Sequence, residues 1–252
     1  MPRYPSPYTS SFSFGPGPIS SAIKAIIGIN VVMFLATTLL AAARSIDLIP
    51  ILGLRPVAVI HQLWIWQPVT YMFLHGGLLH ILFNMLALWM FGTELERVWG
   101  TRYFVKFYLV TGIGAGVLTI LVSLLGFAVT NVIYLVPTIG ASGAIYGLLL
   151  AYAIYFPDRP IYMYFLFPVP AKIFVAIMGA SAFYASLAEA GGIANATHLG
   201  GLLVGYLMLK GSRVHPMAEL KYRYLKWRIN RVRKKFDVYS GGRADDVDRR
   251  VH

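Results

Sequence analysis

Six stretches of the chain are so nearly free of charge that water is the wrong solvent for them. The first runs from Ala22 to Ala43, and the others cover Leu78–Phe91, Tyr103–Phe127, Ile139–Phe156, Ala171–Leu187 and Ile193–Leu209. A perpendicular transmembrane helix needs about 20 apolar residues. Several of these runs are shorter, but their flanks supply extra turns, and a short helix inside a bundle can end in a water-filled cavity. The whole chain is 58% hydrophobic and 13% charged, too apolar for a soluble domain to cover its own surface. The expected fold is an all-α membrane protein, a bundle of six transmembrane helices. Ala41-Ala42-Ala43 resembles a signal-peptidase site, but the run is long for a signal core and carries Lys24 at its start. A retained helix is expected there.

Loop charges orient the bundle. The 94–106 connection has Arg97, Arg102 and Lys106, and the 157–172 connection has Arg159 and Lys172, whereas 128–138 and 188–195 contain no Lys or Arg. Basic loops thus alternate with neutral ones, which places both termini on the cytoplasmic side. The long 44–75 segment falls outside despite Arg44 and Arg55. Its Leu63-Trp64-Ile65-Trp66 stretch is too short to span and rich in Trp, so it is expected in the membrane interface. Residues 1–18, rich in Pro, Ser, Gly and Tyr, read as a disordered tail, 19–210 as the core, and 211–252 as a basic cytoplasmic tail.

The formal net charge is +12, and from Lys210 onward lie thirteen of the 22 basic residues but only five of the ten acidic ones. Directly after a hydrophobic segment such a tail marks the cytoplasmic side; it has no motif for reading nucleic acid, so no nucleic-acid partner is expected. Lys221–Lys235, with Tyr222, Tyr224 and Trp227 interleaved, is expected to lie on anionic lipid. The absence of cysteine excludes disulfides, thiolate metal sites and a cysteine nucleophile.

Polar groups inside apolar helices are costly and need an explanation. Four stand out: His80, Asn84, Ser142 and His198. Ser142 sits in Gly140-Ala141-Ser142-Gly143, and Gly143 and Gly147 share a helix face. Alone, this reads as a small-residue packing face with a serine bonded back to its own helix. His198, Gly201 and Gly205 share another glycine-lined face, and there the bland alternative is an interhelical hydrogen bond. His80 and Asn84 are four apart and share a face; both donate hydrogen bonds without a permanent charge, which suits a developing oxyanion. His75 stands just before them. Metal binding by these histidines competes weakly, since no carboxylate or third well-spaced ligand accompanies them. No Asp or Glu lies centrally in an expected span, so a Ser-His dyad is the simpler arrangement. Tyr146, one turn beyond Ser142, is placed to pack on the imidazole. No cofactor or metal is expected.

At this point the sequence resembles the rhomboid family of intramembrane serine proteases. The matching pieces, in order, are His75, His80-Ile81-Leu82-Phe83-Asn84, Gly92-xxx-Glu96-xxx-Gly100, Gly140-Ala141-Ser142-Gly143 with Tyr146, and His198-xx-Gly201-xxx-Gly205. The likeness runs from about residue 20 to 210. It implies that Ser142 is the nucleophile and His198 the general base, and that His80, Asn84 and the Ser142 backbone N–H form the oxyanion hole. It further implies that Gly140 lines the site, that Tyr146 stacks on His198, that Glu96 ties down the cytoplasmic end of the second helix, and that 44–75 is a partly submerged first loop. Two positions depart from the pattern: Trp66-Gln67 stands where many members have Trp-Arg, and Thr197 where Ala is common. Inactive relatives lose the serine or histidine or place proline before the serine, where this chain has Ala141.

The implied substrates are single-span or other transmembrane proteins, and the simple six-helix form resembles prokaryotic members, so a prokaryotic inner membrane is the expected location. The competing class is a non-proteolytic protein that uses the same fold to bind membrane clients. A transporter is a third reading, but neither internal repeats nor ion-coupling carboxylates are visible.

Overall fold

The fold is given by a computed structural model that describes residues 17–125, 128–163, 166–186 and 192–213. The expected disordered tail, apart from Gly17 and Pro18, and the Lys221–Lys235 segment lie outside the described residues. The chain divides into two units, Met1–Leu209 and Lys210–His252; the contacts below belong to the first.

Six principal helices carry the apolar runs: α1 (Ser21–Ala42), α2 (Leu78–Trp99), α3 (Thr101–Ser123), α4 (Ser142–Tyr155), α5 (Ala171–Ser186) and α6 (Gly192–Arg213). Among the described residues, α1, α2 and α3 are long and apolar enough to cross a membrane, while α4 and α5 are shorter apolar helices. Only 11% of the apolar window of α1 is buried. Its exposed Val32, Leu35 and Leu39, like Leu79, Leu82 and Phe83 of α2, present surface that lipid rather than water would cover.

Ser20 caps α1, its Oγ accepting from the Ile23 N–H at 3.1 Å. The same hydroxyl donates to Glu96 Oε2 at 2.5 Å, and Thr101 Oγ1 donates to Glu96 Oε1 at 2.7 Å. The buried carboxylate of Glu96 therefore ties the start of α1 to the junction of α2 and α3. Helix α2 continues eight residues past the expected end at Phe91, through a π-helical turn at Leu88–Gly92. The hydropathy signal stops where Glu94, Glu96 and Arg97 begin, but the hydrogen-bond ladder does not. The break comes at Gly100, whose positive φ of 76° turns the chain directly into α3.

Helix α4 is central and buried on nearly every side. It packs along the small-residue stripe of α3, Thr111, Gly112, Ala115, Gly116 and Thr119, where the absence of bulky side chains lets two backbones approach. The 44–75 segment folds into short helices, Ile49–Leu52, Pro56–His61 and Gln67–Thr70, and a 3₁₀ turn at Tyr71–Phe73. A further short helix, Ala128–Leu135, occupies the neutral connection before α4.

One expectation needs correction. The fold is not purely α, because the 157–172 connection contains an antiparallel ribbon, β1 (Pro160–Met163) paired with β2 (Phe167–Pro170), with Ile161 opposite Val169. Pro160, Pro168 and Pro170 lack N–H donors, which favours a ribbon that recruits no further strand. At its base the Ala171 N–H donates to the Arg159 carbonyl at 2.9 Å, and the Arg159 guanidinium pairs with Glu94 of α2.

Candidate active site

The approach to α4 is stitched to the 44–75 segment by backbone bonds. Leu54 and Thr138 exchange N–H···O bonds of 2.9 Å each, and the Gly140 N–H donates to the Tyr71 carbonyl at 2.9 Å. Gly140 has φ +125°, a conformation that side chains rarely tolerate. A Cβ there would also lie 2.8 Å from His80 Nε2, so Gly140 lets the histidine ring come up to the backbone. The chain then turns abruptly into helix. The expected span from Ile139 therefore begins at Ser142 instead, which puts the hydroxyl at a helix N-terminus whose first N–H groups have no intrahelical partner.

Helix α6 meets α4 backbone to backbone. A Cβ on Gly201 would be driven into the Gly143 carbonyl, and one on Gly205 would lie 3.0 Å from Gly147 Cα. Gly147 in turn leaves room for Thr111 of α3. On this contact face, His198 places Nε2 2.8 Å from Ser142 Oγ, across 56 positions of sequence. The imidazole lies flat on the Tyr146 ring, with centroids 4.2 Å apart and planes 4° apart. Its Nδ1 is buried with no hydrogen-bond partner among the described residues.

From α2, His80 faces the same point, with the Gly76 N–H directed at its Nδ1 over 3.4 Å. His75 is buried and meets His80 edge-on, with ring centroids 4.9 Å apart. Asn84 is buried one turn further along and donates through Nδ2 to the His80 carbonyl at 2.7 Å, so in this structure it bonds its own helix rather than the Ser142–His198 pair. Glu96 belongs to the other end of α2, in the cluster with Ser20 and Thr101. A hydroxyl hydrogen-bonded to an imidazole nitrogen, with further donors converging, is the arrangement a nucleophile and its base require.

The rhomboid domain family model matches residues 62–211, more than half of the sequence. The chain belongs to the rhomboid family. It is 35% identical over 137 residues to the mitochondrial rhomboid protein 1 of Saccharomyces cerevisiae, a stretch covering 54% of this chain and 38% of that one. With rhomboid protease GluP of Bacillus subtilis it shares 29% identity over 181 residues, 71% of this chain and 32% of the relative. Rhomboid protease AarA of Providencia stuartii is 28% identical over 160 residues, 57% and 54% of the two chains. The matched stretches thus span 32% to 54% of these relatives' own length. Family and apolar helices together make the chain an integral membrane protein.

In this rhomboid the first loop is held without the Trp-Arg pair. Gln67 is fully buried; its Oε1 accepts from the Arg55 N–H at 2.9 Å, and its Nε2 donates to the carbonyls of Pro50 at 3.3 Å and Ile51 at 3.2 Å. Trp66 Nε1 adds a bond of 3.0 Å to the Ile51 carbonyl. A neutral amide thus serves as donor and acceptor at once, where an arginine could only donate. Sequence reasoning did not single out Tyr71. Its fully buried side chain donates to the Gly112 carbonyl at 2.6 Å while its own carbonyl holds Gly140. An aromatic residue four positions before His75 is a signal too common to have marked it.

Proposed function

We propose that this rhomboid is an intramembrane serine endopeptidase that cuts transmembrane proteins with a Ser142–His198 dyad. The single observation that carries the reading is the 2.8 Å bond between Ser142 Oγ and His198 Nε2. Neutral His198 takes the hydroxyl proton through Nε2 as Ser142 attacks a peptide carbonyl, and returns it to the leaving amine. Water then enters as the second nucleophile, with the same imidazole as base, and releases Ser142 from the acyl-enzyme. The tetrahedral oxygen is stabilised by the Ser142 N–H at the start of α4 and by His80. Asn84 joins them with the amide proton not bonded to the His80 carbonyl, since an amide nitrogen carries two. Tyr146 holds the imidazole plane, His75 supports His80 from behind, and Glu96 is structural. No cofactor enters the reaction.

The substrates in this reading are single-span or other transmembrane proteins whose helix unwinds locally, because an intact helix shields its peptide bonds. We assign six spans, the 44–75 segment to the outer interface and both termini to the cytoplasmic side, on the alternation of basic and neutral connections. The tail from 211 is assigned to anionic lipid, and the bacterial relatives support a prokaryotic cell membrane. A cleavage assay on a panel of single-span proteins in liposomes tests the proposal. Cleavage is expected above neutrality, falling about tenfold per pH unit once the medium is more acidic than the imidazole pKa, because only the neutral ring accepts the proton. A rate that stays flat from pH 8 down to pH 3, in protein that remains folded, would remove His198 as the base.

A further inference from the structure

Close to His198, helix α6 meets α3 and α4 largely through glycines. Near the site, Gly200 lies against Ala115 of α3, where a Cβ would come 3.1 Å from Ala115 Cα, and Gly201 lies against Gly143. Such faces permit close approach but have no knob entering a hole to fix axial register. Against α3 the first interlocking apolar side chain of α6, Val204 over Gly114, stands nearly two turns beyond His198, while Leu202 reaches Gly179 of α5. The imidazole itself is weakly constrained. No carboxylate or carbonyl among the described residues holds Nδ1, and a flat stack on Tyr146 allows sliding in the ring plane. The position of the α6 backbone at residues 197 and 198 therefore decides whether Nε2 reaches Ser142.

At that level a buried hydroxyl pair joins α6 to α3. Thr197 is 1% exposed and Thr119 0%, and their hydroxyl oxygens are 2.8 Å apart. Thr119 donates its one hydroxyl proton to the Ala115 carbonyl at 2.9 Å, so Thr197 is the donor in the shared bond. The Thr197 methyl meanwhile faces Gly143 of α4, where a Cβ would lie 3.1 Å from it. One side chain thus touches both α3 and α4, next to the proposed base.

We infer that the Thr119–Thr197 hydrogen bond sets the register that puts His198 within reach of Ser142, making Thr197 a positioning residue; the inference rests on the dyad proposed above. Thr197→Val keeps the branched shape and removes the hydroxyl. With active sites counted by fluorophosphonate labelling, turnover per site is expected to fall about three- to tenfold, the size of one interhelical hydrogen bond in a membrane, with KM within twofold. Thr119→Val is expected to show the same loss, the double variant no more than either single one, and Thr197→Ser is expected to restore turnover. Wild-type turnover per site in Thr197→Val, whatever its thermal stability, would overturn the inference, as would a Thr197→Ser variant as slow as Thr197→Val. Both results leave the dyad standing. Retained cleavage by Ser142→Ala would instead overturn the dyad and this inference with it.

Discussion

Replacing Ser142 with Ala is expected to lower cleavage of a single-span substrate by on the order of 10⁴-fold or more, the range for removing the nucleophile of a serine hydrolase. The fold should survive, because the Ser142 side chain is half-buried and its one described bond is to His198. The Ser142 N–H, His80 and Asn84 would remain to stabilise an oxyanion, so a small residual rate from water attack is compatible with the account. The variant should keep wild-type thermal unfolding in detergent and keep binding substrate, which separates lost chemistry from lost structure. A non-proteolytic client-binding protein would behave differently: wild type and Ser142→Ala would be equally inert towards every substrate on the panel.

Gly201→Val is expected to cost about 10²-fold or more in activity by a wholly different route. No atom of Gly201 takes part in the chemistry, but a Cβ there would collide with the Gly143 carbonyl. The obstacle is backbone in the first turn of the buried helix α4 and cannot rotate aside like a side-chain tip. Helix α6 must therefore move away from α4 or slide along it, and His198, one turn earlier, moves with it. A misplacement of about 1 Å at reacting groups costs on the order of 10²-fold. Unlike Ser142→Ala, this variant should also unfold at lower temperature, because the α4–α6 packing loosens with the site. Gly28→Ala is the matched control: Gly28 is exposed on α1 and an added Cβ meets nothing within 4 Å, so activity should be unchanged.

Hydropathy located the helices because a charge inside hydrocarbon is so unfavourable that sequence must advertise each span. It misplaced their ends where the reason for stopping was not polarity. Glu94, Glu96 and Arg97 interrupt the apolar run while the α2 ladder runs on to Trp99. The start of α4 shifts from Ile139 to Ser142 because the Tyr71 carbonyl and the positive φ of Gly140 hold the preceding residues extended. The ribbon at 160–170 was invisible because so short a stretch with three prolines carries no periodicity. The glycines at 143, 147, 201 and 205 were legible through helical spacing. The Thr119–Thr197 bond was not, since two threonines 78 positions apart obey no spacing rule. Gln67 read only as a departure from the usual arginine, and its three backbone partners reveal it as an anchor.

The central claim is that one hydroxyl is activated by one imidazole contributed from a different helix. Fluorophosphonate labelling of the protein in liposomes, with the adduct mapped by mass spectrometry, addresses it most directly. The account predicts an adduct on Ser142 that forms in the wild-type protein and disappears in His198→Ala. An adduct that forms at an undiminished rate without His198, or that maps to another serine, would contradict it.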